Sequence, residues 1–257
     1  MRIVLNADDF GYDADTVRAT IDCFEQGALT SATIMANMPE TARAIEYAKA
    51  HPQFSFGTHL TFVSTGTERP ISDPSTVPAL CDEQGRFLGF YEIRRRAMKD
   101  AIPAEQIERE TTAQIARVRD EGVPIAHVDS HQHVHKFTPF LSVLERVLPR
   151  FGINRVRTVQ DTYLRPKPTS LTYWFGWRWH RRIASHFTTT RHFFMATCLA
   201  DMQRMDQLVP KLKGESIEVG VHPGYAETWR ETERAGAIAF AQKAKAAGHQ
   251  LVPWNGI

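Results

Sequence analysis

The sequence predicts an α/β protein built around a parallel sheet. Strand-like and helix-like segments alternate about seven times along the 257 residues, which is typical of strands joined by right-handed crossovers. The strand-like runs are short and rich in Ile, Val and Leu, as expected for strands that are covered on both faces. Acidic residues and histidines follow several of these runs, at the edge where α/β proteins build their sites.

The first part of the chain alternates regularly. The predicted strands cover residues 2–7, 29–35 and 54–60, and the predicted helices cover 14–26 and 39–50. The first helix carries Val17, Ile21 and Phe24 on one face and ends at Gly27, because glycine adopts the backbone conformation that closes a helix. The second helix begins at Pro39, which suits a first helical position because no N–H donor is needed there.

The alternation resumes after an irregular stretch. The predicted helices cover 104–121, 138–150, 201–212 and 229–247, and the predicted strands cover 125–130, 153–158, 216–221 and 250–254. Gly122 and Gly248 end two of these helices. We therefore expect about seven parallel strands in a single domain over residues 1–257, without internal repeats.

Two irregular segments interrupt this order, at residues 62–102 and 159–195. The first is rich in proline and glycine, and we expect a lid or an interface element, because long loops in compact domains are often functional. The second is basic and aromatic, and three interpretations remain open. It forms a satellite hydrophobic cluster or dimer surface, or a substrate wall that stacks on sugar rings and binds phosphates, or an interfacial helix at 170–187 on an anionic membrane.

Bulk composition points to no particular partner, because the net charge is only +2. Charge is nevertheless uneven, with eight Lys/Arg and one acid between Arg155 and Arg191; without a known nucleic-acid-binding fold this patch does not indicate nucleic acid. The distant cysteines Cys23, Cys81 and Cys198 indicate a reducing compartment without a disulfide framework. The sequence has neither a signal-peptide pattern nor an apolar run long enough to span a membrane. We expect a cytoplasmic protein.

Residues 127–135 contain four of the eleven histidines. His127, Asp129, His131, His133 and His135 occupy alternate positions, and in an extended strand they would all point to one face. Such a face suits a metal ion better than a buried core. The segment therefore predicts a metal or catalytic site.

Polar residues also end three other predicted strands: Asp8 and Asp9, His59, and His222. Two imidazoles and one carboxylate are a common metal-ligand set, and we expect Asp9, His59 and His131, with His133 in reserve. The other residues of 127–135 then orient ligands or contact the substrate. We assign the same role to Arg157.

A metal bound in this way lowers the pKa of a water molecule and polarises a carbonyl group. Asp8 can then act as the general base and His222 as the general acid in amide or ester hydrolysis. The sequence lacks the motifs of serine hydrolases, P-loop proteins and dinucleotide-binding folds. A metal-dependent phosphoesterase and a non-catalytic sugar-binding protein of the same fold remain as alternatives.

Five motifs, taken in order, resemble the YdjC-like carbohydrate deacetylases, a family that includes chitooligosaccharide deacetylases and a hopanoid-associated branch. They are NADDFG at 6–11, LTSAT at 29–33, GTHLT at 57–61, HVDSHQHVH at 127–135 and HPG at 222–224. The resemblance implies a distorted (β/α) barrel and removal of an N-acetyl group from a free, nucleotide-linked or lipid-linked amino sugar. It also implies a homodimer. The metal ligands would be Asp9, His59 and His131, the general base would be Asp8, and His222 would be the histidine on the general-acid side. The family resemblance favours magnesium, whereas two imidazole ligands favour zinc or another transition metal.

Overall fold

A curled parallel sheet forms the centre of the molecule in the computed structural model, which describes residues 1–165 and 171–257. Its strands are β1 (Arg2–Phe10), β2 (Ser31–Ile34), β3 (Ser55–Leu60), β4 (Ile125–Ser130), β5 (His192–Met195), β6 (Ser216–Val221) and β7 (Gln250–Leu251). The order across the sheet is β4-β3-β2-β1-β6-β5, and β7 pairs with β1. Every strand pair is parallel. The predicted fold class, a distorted α/β barrel of parallel strands, is confirmed.

Eight α-helices surround this sheet within the described residues. They are α1 (Ala14–Glu25), α2 (Thr41–Ala50), α3 (Phe90–Met98), α4 (Ala104–Arg119), α5 (Thr138–Val147), α6 (Leu171–His186), α7 (Leu199–Met202) and α8 (Thr228–Ala246). Helix α1 begins at a capping box in which Asp13 and Thr16 exchange hydrogen bonds, an arrangement that contributes about 1 kcal/mol. No helix of the described residues is long and apolar enough to cross a membrane.

Strand β1 occupies the middle of the sheet. It pairs with β6 from Arg2 to Ala7, and its other edge is shared by β7 at the start and β2 towards the end. From Ile3 to Phe10 every residue of the strand is buried. This burial explains the continuous apolar run at the start of the sequence. Because β1 lies in the middle of the sheet, its carboxyl end lies at the centre of the sheet edge.

The two edges of the sheet are connected by an irregular stretch, residues 154–162. Val128 of β4 donates its N–H to Arg155 O and accepts a hydrogen bond from Arg157 N, both at 3.0 Å. The same stretch also forms backbone hydrogen bonds with Thr188 and with Phe193 of β5. The predicted strand at 153–158 is therefore wrong in detail, because only isolated bridges form there. The regular edge strand is β5, which lies inside the second irregular segment.

Several other elements also differ from the sequence prediction. The segment 62–102 contains α3 and contributes buried side chains to a hydrophobic cluster that also includes side chains of α4 and α5. The predicted helix at 201–212 is divided into α7 and a 3-10 segment, Met205–Lys211, that contains Pro210; proline cannot donate the hydrogen bond that a continuous helix needs. The last strand ends at Leu251, because a 3-10 turn begins at Trp254.

Helix α6 occupies part of the second irregular segment, which the sequence left open. Its described side chains begin at Phe175, so the side chain of Trp174 is not described, and residues 166–170 lie outside the described part of the chain. Ile183 is fully buried, and His180 shares a 2.6 Å hydrogen bond with Thr158. The helix therefore packs beside the stretch that connects the two sheet edges.

Candidate metal centre and hydrolytic site

The carboxyl ends of β1, β3, β4 and β6 meet at one edge of the sheet. His59 is the parallel partner of Asp129, and Ala7, directly before Asp8, is the partner of Val221, directly before His222. Because parallel strands end on the same side, these residues converge although 214 positions separate Asp8 from His222. The edge carries the acidic and imidazole side chains that the sequence singled out.

Asp9, His59 and His131 form a compact group at this edge. Asp9 Oδ1 lies 3.0 Å from His131 Nδ1 and 3.4 Å from His59 Nε2. The ligand atoms of the three residues all lie within 4.8 Å of one another. His131 Nε2 is buried and has no hydrogen-bond partner in the described residues. These donors fit a divalent ion, and two imidazoles with one carboxylate suit zinc or a similar transition metal.

A backbone irregularity brings Asp8 and Asp9 into the same site. Neighbouring residues of a regular strand point to opposite faces. The register of β1 against β2 shifts between Ala7 and Phe10, and Asp9 has φ 60°, a conformation uncommon outside glycine. Such outliers cluster at functional sites. The irregularity allows Asp8 to contact Arg157 while Asp9 contacts His131.

Arg230 of α8 is a site residue that the sequence did not indicate. Its Nη2 donates to Asp9 Oδ2 at 2.9 Å, and its Nη1 is buried without a hydrogen-bond partner in the described residues. With Oδ2 engaged, Asp9 presents only Oδ1 to His59 and His131. Nothing in the helix pattern distinguishes Arg230 from Arg234, which pairs with Glu231 and is partly exposed.

Asp129 holds His59 in position. The Asp129 carboxylate accepts hydrogen bonds from His59 Nδ1 at 2.7 Å and from Thr33 Oγ1 at 3.1 Å. This contact leaves His59 Nε2 facing Asp9, as in metal sites whose histidines are oriented by a carboxylate. Burial lowers the pKa of His59, but Asp129 outweighs burial and raises this pKa to about 10.

Arg157 links three buried carboxylates on the site's inner side. Its guanidinium contacts Asp8 at 2.5 and 2.6 Å, Asp129 at 2.7 Å and Glu218 at 2.6 Å. Burial alone would raise the pKa of Asp8, yet Arg157 holds it well below its usual value. Burial raises the pKa of Glu218 to about 7, despite Arg157. Arg157 is fully buried, and its contacts are those of a residue that orients the carboxylates; its expected contact with a substrate stays a prediction.

The remaining histidines of 127–135 do not share one face, contrary to the sequence prediction. Strand β4 ends at Ser130, and residues Gln132 and His133 have φ 53° and 55°, so the alternation stops. His133 turns towards the ring of Phe193. The left-handed backbone after Ser130 therefore separates side chains that a continuous strand would align.

His127 and His135 lie in the interior of the protein. His127 is fully buried and stacks on Trp254 with ring centroids 4.6 Å apart. His135 bonds to Ser130 Oγ at 2.8 Å and lies 3.2 Å from Arg157 O. Burial lowers the pKa of His135 to about 3 and keeps the pKa of His127 well below its usual value. These shifts favour the neutral form of both rings, and their expected roles in orienting ligands or contacting the substrate stay predictions.

His222 follows β6, the strand next to β1, at the same edge of the sheet. Its Nδ1 bonds to Glu233 Oε2 at 3.0 Å, and its side chain keeps 20% of its surface exposed. Burial lowers the pKa of His222, but Glu233 outweighs burial, so the net pKa is raised. Glu233 is fully buried on α8 and, like Arg230, gives no local signal in the sequence.

Comparison with known proteins adds the decisive observation. Residues 2–250 match the family model described as YdjC-like protein. The chain belongs to the YdjC-like family. The family resemblance noted from the sequence motifs is thereby confirmed, and all residues of the site described above lie within the matched range.

Curated relatives of this YdjC-like chain carry the name carbohydrate deacetylase. One from Brevibacillus brevis is 31% identical over 232 residues, covering 88% of this chain and 83% of the relative. Another from Geobacillus stearothermophilus is 39% identical over 159 residues, covering 61% of this chain and 60% of the relative's length.

Solved structures support the YdjC-like fold over the whole length of the chain. A protein from Enterococcus faecalis, described as a candidate cellobiose-phosphate cleavage protein, aligns with TM-score 0.78 at 21% identity and covers 99% of this chain and 98% of its own. A lactam utilization protein from Thermus thermophilus aligns with TM-score 0.54 at 14% identity, covering 98% and 99%. At these identities the likeness concerns the fold alone.

Proposed function

We propose that this chain hydrolyses the N-acetyl group of an acetylated amino sugar at the edge formed by Asp9, His59 and His131. The observation that carries the proposal is the position of Asp8 and His222 at the same strand edge as these three residues. The name carbohydrate deacetylase, borne by relatives at 31–39% identity, supports the substrate class. A divalent ion held there would polarise the acyl oxygen and lower the pKa of a water molecule.

Asp8 is the proposed general base. Its low pKa keeps the carboxylate ionised at neutral pH. A carboxylate has about four acceptor positions, and three are used by Arg157 Nη1, Arg157 Nη2 and Asn6 Nδ2. The remaining position accepts a proton from the attacking water, and Arg157 holds the carboxylate in one orientation meanwhile.

His222 is the proposed general acid. Its raised pKa favours the protonated imidazole, which donates a proton to the departing amine as the tetrahedral intermediate breaks down. The partial exposure of its side chain leaves it accessible from the site. The two proton transfers are thus assigned to groups on different strands, β1 and β6.

A phosphoesterase using several metal ions fits the site less well. Two further groups could hold an ion by distance, namely Asp8–His59–Asp129 and His127–Asp129–Glu218. Arg157 already contacts Asp8, Asp129 and Glu218, and its fixed positive charge opposes a second cation there. One ion per chain is therefore the expected stoichiometry.

The function is tested by measuring acetate release from N-acetylated amino sugars in free, nucleotide-linked and lipid-linked form. We expect acetate from at least one class. Phosphate release from sugar phosphates, with no acetate from any N-acetylated sugar, would favour the phosphoesterase instead.

Replacing Glu233 should change the pH dependence of turnover. Glu233 raises the pKa of His222, and the acid must be protonated, so activity falls as pH rises through that pKa. In Glu233→Gln we expect this alkaline decline to move to lower pH, with kcat above neutrality reduced about tenfold or more. The pH profile of kcat checks this, with Glu231→Gln on the same helix as the control. An unmoved decline would show that Glu233 does not set the pKa of the acid.

Replacing Arg230 should weaken metal binding. Arg230 fixes the Asp9 carboxylate through Oδ2, and loss of such supporting contacts typically costs about 10–100-fold in metal affinity. We expect a loss of this size in Arg230→Gln, measured by titration of the metal-free protein with a divalent ion. Arg234→Gln, four residues further along α8 in a partly exposed pair with Glu231, should bind the metal as the unaltered protein does. Equal affinities in both variants would contradict the role of Arg230.

A further inference from the structure

Helix α6 presents an exposed face that the proposed chemistry does not use. This face, called the outer face of α6, consists of Trp177, Arg178, Arg181 and Ala184, all exposed to solvent. Trp177 retains 62% of its surface. Phe175, which retains 49%, lies towards the other side of the helix, where its ring centroid is 6.1 Å from that of Trp179.

The opposite side of α6 anchors the helix firmly. Trp179 packs edge-to-face on Phe137 with centroids 5.9 Å apart. Arg182 is held by Glu145 at 2.6 Å, and Ile183 is fully buried. Within the described residues, the contacts that fix the helix come from this inner side, and Trp177 is not among the side chains packed against the core.

The outer face combines aromatic and basic groups. The Arg181 guanidinium lies 4.7 Å from the centre of the Trp177 ring. Residues 171–186 contain no acid, and between Arg155 and Arg191 the only acid is Asp161, which accepts hydrogen bonds from His192 and from Phe193 N. Aromatic rings beside arginines without acids are typical of helices that lie at a bilayer surface with anionic lipids.

The charge also argues against a second copy of the chain as the partner. A two-fold symmetric interface brings the same patch of each subunit together. Contact through the outer face of α6 would place Arg178 and Arg181 near their own counterparts, and the face offers no acid to compensate them. An anionic surface offers the complementary charge.

The inner side of α6 faces further aromatic side chains on neighbouring elements. Phe90 of α3 contacts Phe137 with centroids 6.2 Å apart, and the neighbouring Tyr91 is 83% exposed. Lys136, directly after the His131–His135 segment, lies 5.8 Å from the Trp179 ring. Helix α6 therefore packs beside the segment that follows the carboxyl end of β4.

We propose that the outer face of α6 binds the surface of an anionic lipid bilayer, with Trp177 entering the interface and Arg178 and Arg181 contacting lipid head groups. The binding does not depend on the proposed hydrolytic activity. It should weaken with rising salt, because contacts between exposed charges are screened.

The test is co-sedimentation of the full chain with vesicles of phosphatidylcholine alone or mixed with phosphatidylglycerol. We expect at least tenfold stronger binding to the anionic vesicles. Arg178→Gln/Arg181→Gln should lose most of this preference, whereas Arg117→Gln/Arg119→Gln, which removes two half-exposed arginines from α4, should keep it. Matching thermal unfolding curves establish that the variants are folded.

Tryptophan fluorescence supplies a second measurement. Transfer of Trp177 into the bilayer interface should shift the emission to shorter wavelength on addition of anionic vesicles, and Trp177→Phe should abolish the shift. Absence of binding to anionic vesicles, or equal binding by the two double variants, would overturn the proposal. A dimer in solution that Trp177→Ala dissociates, without vesicle binding, would assign the face to a second copy instead.

Discussion

Asp8→Asn is expected to reduce turnover by about 10²–10⁴-fold while leaving metal affinity unchanged. An amide of the same shape cannot accept the proton that a general base removes from water, and general-base catalysis contributes a factor of this size. Asp8 contacts Arg157 and Asn6 and is not one of the three grouped residues Asp9, His59 and His131. The measurements are kcat and metal affinity of the same preparation.

Glu218→Gln is the matched control for this substitution. It removes another carboxylate from Arg157 and therefore tests whether the activity loss comes only from the altered charge around the guanidinium. We expect a small effect, because the pKa of Glu218 near 7 leaves this group partly protonated already. Unchanged turnover in Asp8→Asn, or an equal loss in Glu218→Gln, would remove Asp8 from the role of base.

His59→Ala and His131→Ala should each abolish tight metal binding. Each substitution removes one of two imidazoles from a three-residue set, and a carboxylate with one imidazole is a poor site for a transition metal. His135→Ala should reduce metal content far less, because His135 bonds to Ser130 and Arg157 in the interior. Elemental analysis of the three purified variants provides the comparison.

His135→Ala also controls for loss of structure. It creates a cavity and leaves Ser130 Oγ with fewer partners, so its thermal stability should fall while its metal content stays close to that of the unaltered protein. A His131→Ala protein that retains a full equivalent of metal would disprove the ligand assignment.

The fold and the meeting of distant residues could be predicted because both follow from local patterns and one geometric rule. Short apolar runs separated by helices imply parallel strands, and parallel strands end on the same side. That rule brings Asp8, His59 and His222 to one edge without knowledge of the strand order. The order itself, with β1 in the centre, depends on packing between distant segments and carries no local signal.

The details that could not be predicted arise where the chain leaves regular geometry. The alternation of residues 127–135 suggested one face, but the left-handed backbone at Gln132 and His133 ends it. Strand β5 lies in an aromatic, basic stretch that does not look like a buried strand. In such places tertiary contacts override local pattern.

The supporting residues were missed for a related reason. Arg230 and Glu233 lie on α8 among other charged residues, and only the approach of α8 to β1 and β6 distinguishes them. Similarly, the position of Arg157 between three carboxylates depends on β1, β4 and β6 together. Long-range ion pairs of this kind have no spacing rule within one sequence.

The central claim is that one metal site, formed by Asp9, His59 and His131, catalyses removal of an acetyl group. The most direct test measures acetate, newly formed amine and bound metal in one preparation, before and after chelation and after stepwise metal return. We expect one acetate per amine, loss of both on chelation, and full recovery at one divalent ion per chain. Acetate release that continues in fully metal-free protein would contradict the claim.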